Sequence, residues 1–461
     1  MARSSDNFAG LSILLAKLTF FFAIAGLTGC ARSVHSIDHA RSAFSSGDLS
    51  AADQTLTPLA EKRGGKAVTA SLDLAMVELA SGDVRAAERR LRGLRDKFDG
   101  ASKSSVVGNA VSMVTDDRAR TYHPAGYEEV MIRTMLSLCS LAGDGTDAES
   151  YALQATTKQA ALLQEAESRG VLGAGEAYQT LALAPYLRGV LREATHHDFD
   201  DAAHAYRLVS EARPQFIPAG EDIARADGGA HSQPGHGVLY VIACVGRGPV
   251  LEETTAPTTS TALSIASSVL NAETNEKDTP EGKRVDGPVL PNIASVKIPT
   301  VVIPPSPVAA IAVRTGGQLL GATQTLTDVG ELATRQNEAE MPWTIARAVV
   351  RRVTKETTVA KLGDTLGLDG SAGSLFHFAA ASAWAGSEKA DTRCWGLLPR
   401  EIQVFRSELP VGRHTVSLQS VGFGGQGIGP PSNESVDIVD GRNTYRIVVA
   451  PAERVFVASG Q

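Results

Sequence analysis

Two short turns constrain the first half of this chain: Ser46-Gly47-Asp48 and Ser81-Gly82-Asp83, whose glycines lie 35 residues apart. Helix-forming segments flank each one, 36–45 and 49–61 around the first, 68–80 and 84–98 around the second. Paired alanines follow both turns, Ala51-Ala52 and Ala86-Ala87. Glycine accepts the left-handed conformation that ends a helix, and the aspartate caps the next one. A helical hairpin repeated at this spacing cannot bury its apolar face alone, so copies stack on one another. Ala142-Gly143-Asp144 repeats the device between helices expected at 126–141 and 146–169, and 197–203 is a degenerate copy.

The period is that of tetratricopeptide-like (TPR-like) repeats, without their full consensus, and a stack of three or more leaves a concave face free for a partner. Residues 30–212 are therefore expected to form a TPR-like helical domain. Because one hydrophobic core stops growing at about 250–300 residues, a chain of 461 needs more than one such unit. The Pro- and Gly-rich stretch 213–236 reads as a linker, and 237–461 as a second, α+β domain. Its first strand is the apolar run 238–245. Thr254 to Pro291, rich in Thr, Ser and charge, reads as a mobile insertion. Strands are expected near 294–303, 308–314 and 317–326, then helices near 328–338 and 343–361, and a buried helix at 375–385. Alternating segments at 401–406, 414–421, 435–439, 445–450 and 454–458 form a β-sandwich-like close.

The N-terminus carries an address. Arg3 and Lys17 precede an uncharged run, 18–29, that is shorter than the ~20 residues of a membrane span and reads as a signal-peptide core. It ends in Leu27-Thr28-Gly29-Cys30, similar to the lipobox of bacterial lipoproteins, which implies removal of residues 1–29 and acylation of the Cys30 thiol, palmitate among the chains. Ala31, in place of aspartate, implies by the same resemblance the periplasmic face of the outer membrane. A formal charge of -7 and 5% aromatic residues remove nucleic acid as an expected partner. Cys139, Cys244 and Cys394 remain, so at most one disulfide is expected.

Several motifs, in order, resemble those of an uncharacterised family of bacterial TPR-like lipoproteins. These are Tyr127-Glu128 before 130–136, Gly246-Arg247-Gly248-Pro249, the stretch 345–351 continued to Lys355, and Asp391-Thr392-Arg393-Cys394-Trp395 with Leu398-Pro399. The resemblance implies no catalytic residues.

Three constellations remain as candidate sites. On a helix, His197, Asp201 and His204 at i, i+4 and i+7 would share a face, as a zinc site or a hydrolytic centre requires. Arg347, Arg351 and Lys355 form a basic stripe opposite Trp343, Ala346, Val350 and Val353, suited to an anionic surface or to solvent. Asp391, Arg393 and Trp395 alternate, so Arg393 could pair with Asp391 and stack on Trp395, either for a ligand or to pin the start of the β-region. Gly422, Gly424 and Gly427 match a phosphate loop only formally, since strands flank them on both sides. The expected function is a non-enzymatic envelope scaffold without cofactors, binding envelope proteins through its repeats. A metal-binding or hydrolytic protein centred on His197, Asp201 and His204 is the alternative, and the oligomeric state stays open.

Overall fold

Alanine- and leucine-rich segments between short turns give a succession of helices. They are α1 (36–45), α2 (Leu49–Ala60), α3 (Gly65–Ala80), α4 (Val84–Ser104), α5 (Gly126–Ala142), α6 (Ala148–Ser168), the short α7 (Ala174–Ala177), α8 (Leu183–Glu193), α9 (Phe199–Ala212) and α10 (Pro218–Asp227). The computed structural model describes residues 36–104, 122–277, 294–365 and 389–458. From α2 to α6 each helix packs on the next, α6 packs on α8, and α8, α9 and α10 follow in turn. The first two turns have the expected chemistry. Gly47 and Gly82 sit at φ 82° and 83°, and the Asp48 and Asp83 carboxylates accept the amides of Ala51 and Ala86 at 3.0 Å. The third turn departs, because the left-handed residue is Gly145 (φ 74°) and not Gly143. In the degenerate copy His196 takes that conformation, at φ 62°.

Residues 213–236 are not a linker. Pro218 opens α10, where a missing N–H costs nothing, and Gly228 caps its end. Ala219, Asp222 and Ala226 are buried against the preceding helix.

The strands are β1 (His236–Val245), β2 (Val250–Pro257), β3 (Ser295–Val302), β4 (Ala310–Thr315), β5 (Gln318–Ala322), β6 (Gln324–Asp328), β7 (Glu401–Pro410), β8 (Gly412–Val421), β9 (Ser432–Ile438), β10 (Asn443–Ala450) and β11 (Phe456–Ala458). They form a five-stranded sheet in the order β11-β10-β1-β7-β6, a four-stranded sheet β5-β4-β8-β9, and the pair β2-β3. Central β1 runs parallel to β10 and antiparallel to β7. Its odd and even residues enter different cores. Leu239, Val241, Ala243 and Val245 meet Ile311, Val313, Val416 and Leu418 of the second sheet, making a β-sandwich. Val238, Tyr240, Ile242 and Cys244 belong instead to the core that runs through the helices. Burial on both faces is why this run reads as continuously apolar.

The fold is α+β in three layers: helices, sheet, sheet. The separation of a helical domain from a C-terminal domain is therefore corrected. Helices α3 and α5 lie on β10, and α3 also reaches β11, so the array covers one face of the central sheet and shares its core.

Between β2 and β3 the chain forms α11 (Ser260–Lys277), where a mobile insertion was expected. Thr254 to Pro257 belong to β2, and Ala262, Ala266 and Leu270 are buried against α12 (Val329–Thr365). The rest of the expected insertion, 278–291, lies outside the described residues, as does the helix expected at 375–385. The two helices expected near 328–338 and 343–361 form the single helix α12, with Pro342 inside it.

Candidate functional site

Two buried polar clusters join the helices to the sheets. In the first, helix residues grip the backbone of the segment before β7. Asp73 on α3, fully buried, receives the Arg41 guanidinium at 2.7 Å and the Leu397 amide at 3.0 Å. Arg41 also donates to the Cys394 carbonyl at 2.7 Å. Glu128 on α5 accepts the Trp395 amide at 2.6 Å, the Ala125 amide at 2.9 Å and the Tyr122 hydroxyl. Burial pushes both the Asp73 and the Glu128 carboxyl upward, against the stabilising effect of these donors. Nearby, Gly248 donates to the Leu398 carbonyl at 2.8 Å, and a Cβ at that position would lie 2.4 Å from the same oxygen. Thus three separated motifs, at Glu128, Gly248 and Trp395–Leu398, meet at one place.

Arg393 forks onto Asp391 at 2.6 and 2.8 Å, as its spacing suggested, but its guanidinium lies over the Tyr122 ring at 5.9 Å and not over Trp395. Trp395 is fully buried in the helical core, which leaves it no surface for a ligand. Burial also raises the Cys394 thiol to about 11, which disfavours a reactive thiolate. Cys139, Cys244 and Cys394 are all free and buried.

In the second cluster Glu193, at the end of α8, is fully buried. It accepts Arg225 through both oxygens at 2.9 Å and the Tyr206 hydroxyl at 2.9 Å. Arg406 of β7 lies 3.7 Å from the same carboxylate and donates to the His231 carbonyl at 2.6 Å. The His231 ring meets the Asn443 side chain at 2.8 Å, and burial lowers its pKa. The sequence offered no spacing that announced these partners. Both clusters have the character of structural latches: their carboxylates are fully buried and paired, with the arginines slightly exposed at the edge.

The metal candidate does not assemble. Helix α9 begins at Phe199, so His197 sits in the preceding turn, its Nδ1 at 2.5 Å from the Thr195 carbonyl, and cannot share a helical face with Asp201 and His204. Asp201 instead faces Arg188 at 3.8 Å. Among the described residues no cluster of three His, Cys, Asp or Glu could hold a metal. The loop at 422–429 folds on itself within the β8–β9 hairpin, Gly422 donating to the Gln426 carbonyl and Ile428 to that of Ser420. On α12, Ala346, Val350 and Val353 pack on α11 and β3, while Trp343 lies under Arg169 at 5.7 Å. Arg347 is exposed, and the Lys355 side chain lies outside the described residues.

A groove between α6, α8 and α9, about 950 Å³ in volume, is open to a partner. Its apolar lining includes Leu153 (62% exposed) and Leu208 (39% exposed), with Ala184 and Pro185 between them. A smaller polar compartment of about 290 Å³ continues it toward the start of α12. Large exposed leucines in a concave site are the unusual feature, since isolated ones elsewhere need no explanation. Among the described residues no helix is long and apolar enough to cross a membrane. Comparison with protein-family models, with curated proteins and with solved structures finds no match in any of the three.

Proposed function

We propose that this chain is an exported lipoprotein, anchored through acylated Cys30 at the periplasmic face of the bacterial outer membrane, that acts as a non-enzymatic scaffold for envelope proteins. Its hairpins are TPR-like in this reading, which also takes up the resemblance to TPR-like lipoproteins. The observation that carries the scaffold function is the groove on α6, α8 and α9, with Leu153 and Leu208 exposed inside it. The faces of α3 and α5 that a free solenoid would offer are covered here by β10 and β11, so the binding surface moves to α6, α8 and α9. Buried ionisable groups in the latches are matched by partners, which fits a structural role better than a catalytic one.

The anchor has a direct test. Cys30→Ser is expected to stall the precursor or to shift the protein from the membrane pellet to the soluble fraction, since stable attachment needs at least two acyl or equivalent signals. A processed Cys30→Ser protein that still sediments with membranes would reject the anchor.

A further inference from the structure

We infer that the groove receives a cationic amphipathic segment of a partner protein, placing a large apolar side chain on Leu153 and Leu208 and a lysine or arginine at Glu211 and Glu176. The inference rests on the scaffold reading above and specifies the partner's chemistry. Its ground is the charge balance of the lining. The apolar and polar compartments meet at Gln179, Thr180, Glu211 and Ala212. Each arginine along them reaches a carboxylate, two of them sharing one. Arg192 holds Glu149 at 2.6 Å, Arg188 faces Asp201 at 3.8 Å, and Arg213 and Arg335 both reach Glu331, at 2.9 and 2.5 Å. Glu211 and Glu176 are exposed at and beside the junction, and neither has a cation within ion-pair distance among the described residues.

Five carboxylates, Glu149, Glu176, Glu211, Asp328 and Glu331, line the two compartments against four arginines, so the lining carries one net negative charge next to an apolar floor. A volume near 950 Å³ is at the upper end of the ~300–1,000 Å³ typical of ligand clefts, enough for the apolar side of a peptide. Exposed carboxylates add selectivity and encounter rate more than affinity, so they would reject an acidic segment that fits the same floor.

The test uses the full anchored chain in detergent and displayed random 12-residue peptides, with counter-selection on the Leu153→Asp/Leu208→Asp variant. All four altered side chains, these two leucines and the two glutamates, are exposed or on the groove surface, and unchanged melting temperatures of the variants confirm intact folding. Groove-dependent peptides are expected to pair large apolar residues with Lys or Arg. Glu176→Lys/Glu211→Lys should weaken a representative peptide by about tenfold, and replacing the peptide's basic residues by Glu should reverse that preference. Groove-dependent peptides that are acidic, or indifferent to the charge reversal, would overturn the cationic specificity and leave the scaffold reading standing. If no peptide depends on Leu153 and Leu208, both fall.

Discussion

An Asp73→Ala variant is expected to unfold with a loss of about 3–5 kcal/mol, a large share of the ~5–15 kcal/mol that holds a typical domain. Asp73 is fully buried and serves Arg41 and the Leu397 amide at once. Alanine would leave the mostly buried guanidinium without its counter-charge, holding only the Cys394 carbonyl, and would leave the Leu397 amide unmatched, penalties that exceed the net worth of the bonds themselves. The loss should be read from urea unfolding of the full chain. An Arg41→Met/Asp73→Leu double variant removes both charges and should recover much of the loss, which separates stranded charge from lost packing. A single variant within ~0.5 kcal/mol of the native protein, the range of ordinary surface changes, would mean that this cluster does not hold the layers together.

The second large effect concerns the division of the chain. Residues 237–461 expressed alone are expected to aggregate or to lack a cooperative transition. Removing the helices would bare Val238, Tyr240, Ile242, Cys244, Ile447 and Val449 on one sheet face, together with Trp395 and Leu397. Large apolar side chains contribute about 1.5–3 kcal/mol each when fully buried, so their loss outweighs the stability of an ordinary domain. Size-exclusion chromatography with near-ultraviolet circular dichroism reads the outcome. A soluble monomer with a sharp thermal transition would restore the picture of two independent domains.

Local signals in the sequence were reliable where the chemistry was local. Gly47-Asp48 and Gly82-Asp83 marked their turns because capping and a left-handed φ depend on adjacent residues. Most strands of the second half were legible, the last ones from alternation and β1 from its apolar run, but β2 was hidden in the expected insertion and β5 and β6 were read as one strand. Longer-range facts were not. Pro218 and Gly228 read as a break, although proline at a helix start and glycine at its end bound a helix equally well. The small residues Ala262 and Ala266 hid α11 in a Thr- and Ser-rich stretch, because they bury only against α12 and the β2-β3 pair. The spacing of His197, Asp201 and His204 assumed a helix that starts only at Phe199. Glu128 and Trp395 were singled out separately, 267 residues apart, and only the fold shows one holding the amide of the other. The groove lies among helices α6, α8 and α9, and α8 was not foreseen as an element at all.

The scaffold reading is tested most directly by photo-crosslinking in intact cells from p-benzoylphenylalanine placed at Leu153 or Leu208, with Leu319, an exposed leucine outside the groove, as the control. A discrete crosslinked protein from both groove positions, absent at Leu319 and lost from position 208 when Leu153→Asp is added, is the predicted result. Equal crosslinking at Leu319, or none from either groove position in a correctly anchored protein, would contradict it.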